Sequence, residues 1–481
     1  MTNTEDEGIQ RSLDMDWVVS LKKRVSDTKF CERSTKPTIY RVPDFLKSVD
    51  PQAYEPLLVS IGPYHRKKPH LQAMNQLKWK CLKYVLGQRH DMVLEDYVDR
   101  IKELETRARD AYSEEVEMDS NSFVEMMLLD GCFLMLTIMK RTETMNSEES
   151  TWMESASSLT PYIVARDIFM LENQLPFFLL ETLYESAFPP NPSFRMLTFK
   201  FIRMHFSTKL KRSFDNIETY HHVIHLFLSC IDPTTNHSIG NDNQSSTFGF
   251  LCNSISKLVK TVFVSLPSKL HSFLLSQVNK KCTVRDFNPE EDLHDTPWIP
   301  SATVCNEAGI HFVRKKRGKS FLDITFHNGK LEIPQLRIED HTNSLLRNLV
   351  AYEQCSKDSQ FLVTSYVVLM DCLIDTAADV ELLQQPEIII NDLGDTQQIA
   401  TLFNKIGTNV FIDRYGSYLL SVYTAMRKHR DTRCNKWRAR LNRDYFSNPW
   451  AAISLFGVLA LFVLTVTQTT FTILSYFRSS N

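Results

Sequence analysis

Between Asp444 and Arg478 the chain carries no charged side chain. Nothing else in the sequence restricts its folding so tightly. A bilayer core about 30 Å thick takes roughly 20 helical residues at ~1.5 Å rise each, and the run 445–477 exceeds that. A lone segment crossing lipid must satisfy its own backbone hydrogen bonds, so it must be a helix. The expectation is one transmembrane helix over 449–476 and a short tail, 477–481. Trp450, Leu455, Gly457, Leu461, Leu464, Gln468 and Tyr476 mark the span. The competing reading, a buried core helix of a soluble domain, expects a shorter element with a polar face.

The flanks favour the membrane. Arg427, Lys428 and Arg430 begin a basic stretch that continues through Arg433, Lys436, Arg438, Arg440 and Arg443, opposed by Asp431 and Asp444. An excess of Lys and Arg marks the cytoplasmic side, which places the bulk of the chain in the cytosol. The same cations suit anionic lipid, although an ordinary solvated helix face carries such residues too. Trp437, Tyr445, Phe446 and Trp450 precede the span and Tyr476 and Phe477 follow it, as interfacial aromatic belts do. The first residues are acidic and polar, unlike a signal peptide, so the expected form is a tail-anchored, single-pass protein. Whether the membrane is the plasma membrane or an endomembrane is open. Thr465, Gln468, Thr472 and Ser475 form a polar stripe that can join a second copy; the alternative is that the hydroxyls bond their own helix.

The remaining residues suffice for one large helical body or two to three domains. A net charge of −2 argues against nucleic-acid binding. Glycine is scarce, at 13, which disfavours turn-rich β folds. Ten cysteines lie scattered without a CxxC pair, several of them in apolar runs, as core thiols do.

Residues 1–36 read as polar and loosely ordered apart from an amphipathic stretch at 17–25. The family-sized body spans 37–445. Ile39–Pro43 is extended, because the residue before proline avoids the α region. Helical spacing recurs through Leu71, Met74, Leu77 or Lys78, Leu82 and Val85, and again from Leu94 to Ala111. Residues 123–139 are apolar on all sides, the mark of a central buried helix. Pro176 starts or kinks a helix within 163–187. Residues 236–247 form a candidate linker between two lobes, and 248–278 is helical again. Asn328-Gly329 between alternating apolar residues predicts a β-hairpin over 321–334. Helices follow at 344–354, 361–376, 397–410 and 415–445. The fold class is mainly α: a large soluble helical body, a small antiparallel hairpin and the C-terminal transmembrane helix.

Candidate chemistry is sparse. Gly318-Lys319-Ser320 ends like a phosphate-binding loop, but Val313 stands where the pattern needs glycine and a strand follows. The cluster 314–319 then reads as a charged hairpin loop, with contact to an anionic surface as the lesser alternative. His221 and His225 share a helix face and can hold zinc given a third ligand, which spacing does not supply. Asp130, Asp167, Glu172, Glu353 and Asp371 lie in apolar surroundings, where carboxylates serve either as acid and base or as acceptors for the core's own donors. No catalytic, cofactor or metal residue is assigned.

Several words then occur in order: Ile39-Tyr-Arg-Val-Pro43, Val59-Ser-Ile-Gly-Pro-Tyr-His65, Asp130-Gly-Cys-Phe133 and Leu171-Glu-Asn-Gln-Leu-Pro-Phe177. Arg347-Asn-Leu-Val-Ala-Tyr-Glu-Gln354, Thr364-Ser-Tyr366 and Asn448-Pro-Trp450 follow. Over residues 37–477 the chain resembles the plant-specific domain of unknown function 247 family, also catalogued as uncharacterised protein family 0481. The resemblance implies a C-terminal membrane helix and no assigned enzyme activity; some grass relatives are linked to self-incompatibility, which implies recognition at a membrane. Arg66–His70 and Gln384-Gln-Pro386 depart from the family pattern, both in loops. The leading expectation is a membrane-anchored interaction or signalling protein whose partners are the bilayer and other proteins. The alternatives are a membrane-bound enzyme using buried carboxylates or His65, favoured if His65, Glu172 and Glu353 share a deep polar pocket, and a lipid-binding module.

Overall fold

The structure is a computed structural model that describes residues 15–26, 36–145, 160–205, 220–234, 299–413, 416–432, 457 and 460–472. The proposed linker 236–247 and the helix expected at 248–278 lie outside these residues. The chain divides into two compact units. One comprises Met1–Ile231, Val313–Ile324 and Ile333–Ser417; the other comprises Asp232–Phe312, Thr325–Glu332 and Tyr418–Asn481.

The first unit is helical and is built around one element. Helix α3 (Ser120–Arg141) buries fifteen residues between Phe123 and Met139, which is what an apolar surface on every side requires. Its start is fixed by Asp119, whose carboxylate accepts from Ser122 N at 2.9 Å. Around it pack α1 (Asn75–Leu86), α2 (Leu94–Asp110), α5 (Phe177–Ala187) and α6 (Phe194–His205). Gly131 lets α5 approach, since a Cβ there would lie 2.4 Å from Leu183 Cδ1. The helix expected within 163–187 is two: α4 (Thr160–Ile168) ends before the Leu171–Pro176 segment, and Pro176 caps the start of α5. On α1 the inward position is Lys78, not Leu77, because Asp130 of α3 receives it at 2.5 Å.

Helix α7 (Val223–Ile231) precedes the second group, α8 (Thr342–Cys355), α9 (Leu362–Leu373), α10 (Ala377–Gln384) and α11 (Thr396–Ile406). Helix α11 stops at Ile406, before the expected 410. Two three-residue strands, β4 (Leu336–Ile338) and β5 (Ile389–Asn391), pair in parallel, Leu336 opposite Ile389.

In the second unit, β2 (Thr325–His327) and β3 (Lys330–Ile333) form the predicted hairpin, with Phe326 opposite Leu331. Asn328 at φ 52° and Gly329 at φ 76° make its turn. The strand expected from Phe321 begins only at Thr325. Before it, Asp323 N turns back to Ser320 O, and the Asp323 carboxylate accepts from Lys319 N. β1 (His311–Arg314) completes the sheet in the order β1-β3-β2. Helix α12 (Leu420–Asp431) packs on β2, with the His429 ring edge-on to Phe326.

Among the described residues one helix, α3, has the length and apolar composition to cross a bilayer, and it is buried in the body. The described part of the predicted C-terminal span is the helix Ala460–Thr472, shorter than a membrane crossing. Its apolar side chains are exposed, Leu461 by 66% and Phe471 by 68%.

Candidate functional site

Residues 55–65 run between elements without a strand or a long helix, so their buried N–H groups need acceptors from elsewhere. Side chains supply them. Asp167, at the end of α4, accepts from the N–H groups of Leu57, Leu58 and Val59 at 2.8–3.1 Å. Asn173 Oδ1 accepts from Ile61 N at 2.6 Å, and its Nδ2 donates to Val59 O. Asp130 Oδ2 accepts from Gly62 N at 2.9 Å, while Lys78 Nζ donates to Asp130 Oδ1 and to Ser60 O. Gly62 sits at φ +74°, where a Cβ would lie 2.8 Å from Gln174 O. The words around 60, 130 and 172 are thus one latch, and it ends on His65.

His65 is 1% exposed. Its Nε2 lies 3.2 Å from Glu172 Oε2 and its Nδ1 4.0 Å from Glu55 Oε2. Glu172 Oε1 accepts from Val42 N at 2.9 Å, and Lys47 and Arg41 stand 3.6 and 3.8 Å from Oε2. Glu55 pairs with Lys47 at 3.4 Å and with Lys68. Both His65 ring nitrogens and Glu172 Oε2 are buried without an aligned hydrogen bond. Burial raises the Glu172 pKa, but His65, the Val42 N–H and the Lys47 charge outweigh it and bring the group down to about 2. Burial, with Lys47 nearby, lowers Lys68.

This arrangement holds a histidine between two carboxylates inside a shell of cations. A carboxylate ionised down to pH 2 is a weak base at neutral pH. One nucleophile candidate that feels the Glu172 charge, Cys355, is pushed up to about 11 by burial and by that charge, and its thiol donates to Arg41 O at 3.8 Å. Such a thiol is not a thiolate at neutral pH.

Glu353 does not join His65 and Glu172. Its carboxylate accepts from Val363 N, Thr364 N and Thr364 Oγ1 at 2.7–2.9 Å, fixing the start of α9, and burial raises it to about 7 against those bonds. Asp371 stands beside Gly407 and is raised by burial. Of the five carboxylates expected in apolar surroundings, Asp130, Asp167, Glu172 and Glu353 therefore each accept from backbone N–H groups. His221 and His225 do stack, at 4.6 Å between centroids, while His222 between them bonds Thr38 O at 2.9 Å. Burial pushes His225 down to about 4. Among the described residues no group of three His, Cys, Asp or Glu is placed to hold a metal. Ser320 of the Gly-Lys-Ser word donates Oγ to Ile231 O.

Of the span residues, Gly457, Leu461, Leu464 and Gln468 are described and helical. Trp450, Leu455 and Tyr476, with the basic flank Arg433, Lys436, Arg438, Arg440 and Arg443, lie outside the described residues. Thr465, Thr467, Thr469, Thr470 and Thr472 each bond the carbonyl four residues back, so their hydroxyls are satisfied within the helix. The sequence alone did not show Lys47, Glu55 and Lys68 as cluster members, since no short spacing joins them to His65 or Glu172.

Comparison with known proteins gives one family, DUF247, described as a plant protein of unknown function and matching residues 39–464. The UPF0481 protein At3g47200 of Arabidopsis thaliana is 29% identical over 451 residues, covering 91% of this chain and 86% of its own length. The putative UPF0481 protein At3g02645 of the same plant is 22% identical over 513 residues, covering 94% and 93%. No solved structure matches.

Proposed function

The chain belongs to the DUF247 family of plant proteins, and from that premise we propose that it is a membrane-tethered interaction protein, its helical body presented to other proteins at the cytosolic face. The carrying observation is the uncharged run 445–477, whose described portion is a helix with its apolar side chains exposed. An apolar helix left uncovered costs about 25 cal/mol per Å² in water, and lipid removes that cost. Binding rather than catalysis is supported by the use of the buried polar groups. Asp130, Asp167, Asn173 and Glu353 are spent on the chain's own N–H groups, and the His65 cluster has no activated nucleophile.

A contact point is suggested on the body. Phe45 and Phe411 are 54% and 69% exposed. Asn409 Nδ2 donates to Phe45 O at 2.9 Å, which brings the two segments together, and the Phe361 ring lies 6.5 Å from that of Phe411. Exposed aromatic residues gathered this way are typical interface anchors. Proximity labelling in plant cells tests the reading. The full chain should mark a reproducible set of proteins, and Phe45→Ser with Phe411→Ser should lose that set without changing membrane recovery. Identical labelling by wild type and double variant would reject the patch. Complete release from microsomes by alkaline carbonate would reject the tether.

A further inference from the structure

Two cavities of the first unit adjoin. One, of about 170 Å³, lies between the 314–320 loop, β4 and the start of α8; the other, of about 210 Å³, lies between the ends of α3, α4 and α6. His205, Glu339, His341 and Leu345 belong to both walls. Their joint space reaches the lower end of the range for small-molecule sites, ~300–1,000 Å³.

The walls are basic. Arg141, Arg166, Arg314, Lys315, Lys316 and Arg337 line them, against one carboxylate, Glu339. Four of these cations are neutralised by carboxylates outside the lining. Arg166 meets Asp167, Arg314 meets Glu387, Lys315 meets Asp323 and Arg337 meets Asp392. Glu339 is taken by His341 Nδ1, at 3.4 Å. Among the described residues Arg141 and Lys316 have no carboxylate partner.

Arg141, Arg166 and His205 stand in the last turns of their helices, where a cation complements free carbonyls. That accounts for their positions on those helices. It does not account for Arg141 Nε, which is buried without a hydrogen-bond partner. It does not account either for Lys316, which a loop from elsewhere in the chain brings to the adjoining cavity. His205 Nδ1 contacts Phe201 O at 2.9 Å, which turns Nε2 toward Arg141 Nη2 at 3.4 Å and holds that guanidinium in place.

We propose that this double cavity binds a small phosphorylated anion, with Arg141 and Lys316 as its charge partners. A phosphomonoester carries ≈ −1.5 to −2 charges at neutral pH, which balances the two unmatched cations. Its oxygens accept from the exposed edge of a guanidinium in the paired geometry that Arg favours. The phosphate belongs either to a soluble polyol phosphate or to the headgroup of a phosphorylated lipid; the chemistry is shared.

The test uses the full chain in phosphatidylcholine nanodiscs. Inositol trisphosphate is titrated by calorimetry, and binding is repeated with nanodiscs containing a few per cent phosphatidylinositol bisphosphate. Wild type should bind at least one probe. Lys316→Glu, on an exposed loop residue, should weaken it about tenfold or more, as should Arg141→Met. Lys102→Glu, an exposed lysine lining neither cavity, should leave it unchanged. Binding of the soluble probe identifies a free ligand, and binding of the lipid alone identifies a headgroup. Failure of both probes, or equal weakening by Lys316→Glu and Lys102→Glu, would overturn the site.

Discussion

Two of the apolar helices of this protein, α3 and the C-terminal one, end in opposite surroundings. Helix α3 buries fifteen residues between Phe123 and Met139 inside the body, whereas Leu461, Leu464 and Phe471 of the C-terminal helix are exposed. Hydropathy does not separate them; their exceptions to apolarity do. At the centre of α3, Asp130 meets Lys78 and the Gly62 N–H, and Gly131 admits α5. Each is matched to a partner in the fold. In the C-terminal helix the threonines bond backward into their own turn and Gln468 is exposed, and Gly457 before it has nothing within 4 Å of its Cβ position. The core helix is written to fit its neighbours, and the exposed helix bonds its polar groups to itself.

The sharpest way to break this contrast is the same charge in both helices. Met135→Lys should abolish the folded body, because an unpaired buried ammonium exceeds about 4–5 kcal/mol. Leu464→Lys should leave the thermal transition of the body unchanged while impairing membrane insertion, at about 2.5–3.5 kcal/mol near the centre of a span. Circular dichroism melts and membrane flotation read the two effects. Next, Lys78→Met strands Asp130 and should cost about 3–5 kcal/mol in urea unfolding.

A third effect is acidic. Glu172 is held near 2, below the ordinary 4.5, so its contribution is present above pH 4.5 and is lost as pH falls toward 2. Glu172→Gln should therefore lose about 2–3 kcal/mol at pH 6 and converge with wild type near pH 2. Glu353, raised to about 7, slopes the other way: its contribution is full below pH 4.5 and fades as pH rises through 7. Removing the C-terminal helix should leave both slopes in place. Smallest of all, Gly131→Ala should cost about 1–3 kcal/mol through overlap with Leu183, and Gly457→Ala should cost nothing measurable.

Much of the body was legible where one residue speaks for itself. The all-round apolarity of 123–139 announced burial, Pro176 announced the start of α5, and Asn328-Gly329 announced the hairpin. Helix α6 carries the same kind of signal, with Phe194, Leu197 and Phe201 at helical spacing. Strands β4 and β5 were not readable, because three residues give no period and their pairing joins 336–338 to 389–391 across three helices. The same holds for the site. Glu172 was visible as a carboxylate in apolar company, yet nothing local places it against His65 or gives Glu353 to α9. Convergence is a tertiary property; only the presence of the groups is written locally.

Orientation and anchoring are decided together by glycosylation. The sequence holds acceptor sites at Asn236 and Asn243, and a third is appended after Asn481. Expressed with microsomes, the chain should gain an endoglycosidase-sensitive mass shift from the appended site alone, and lose it on deletion of 449–476. A shift from Asn236 or Asn243, or none from the appended site, would contradict a cytosolic body held by one C-terminal helix.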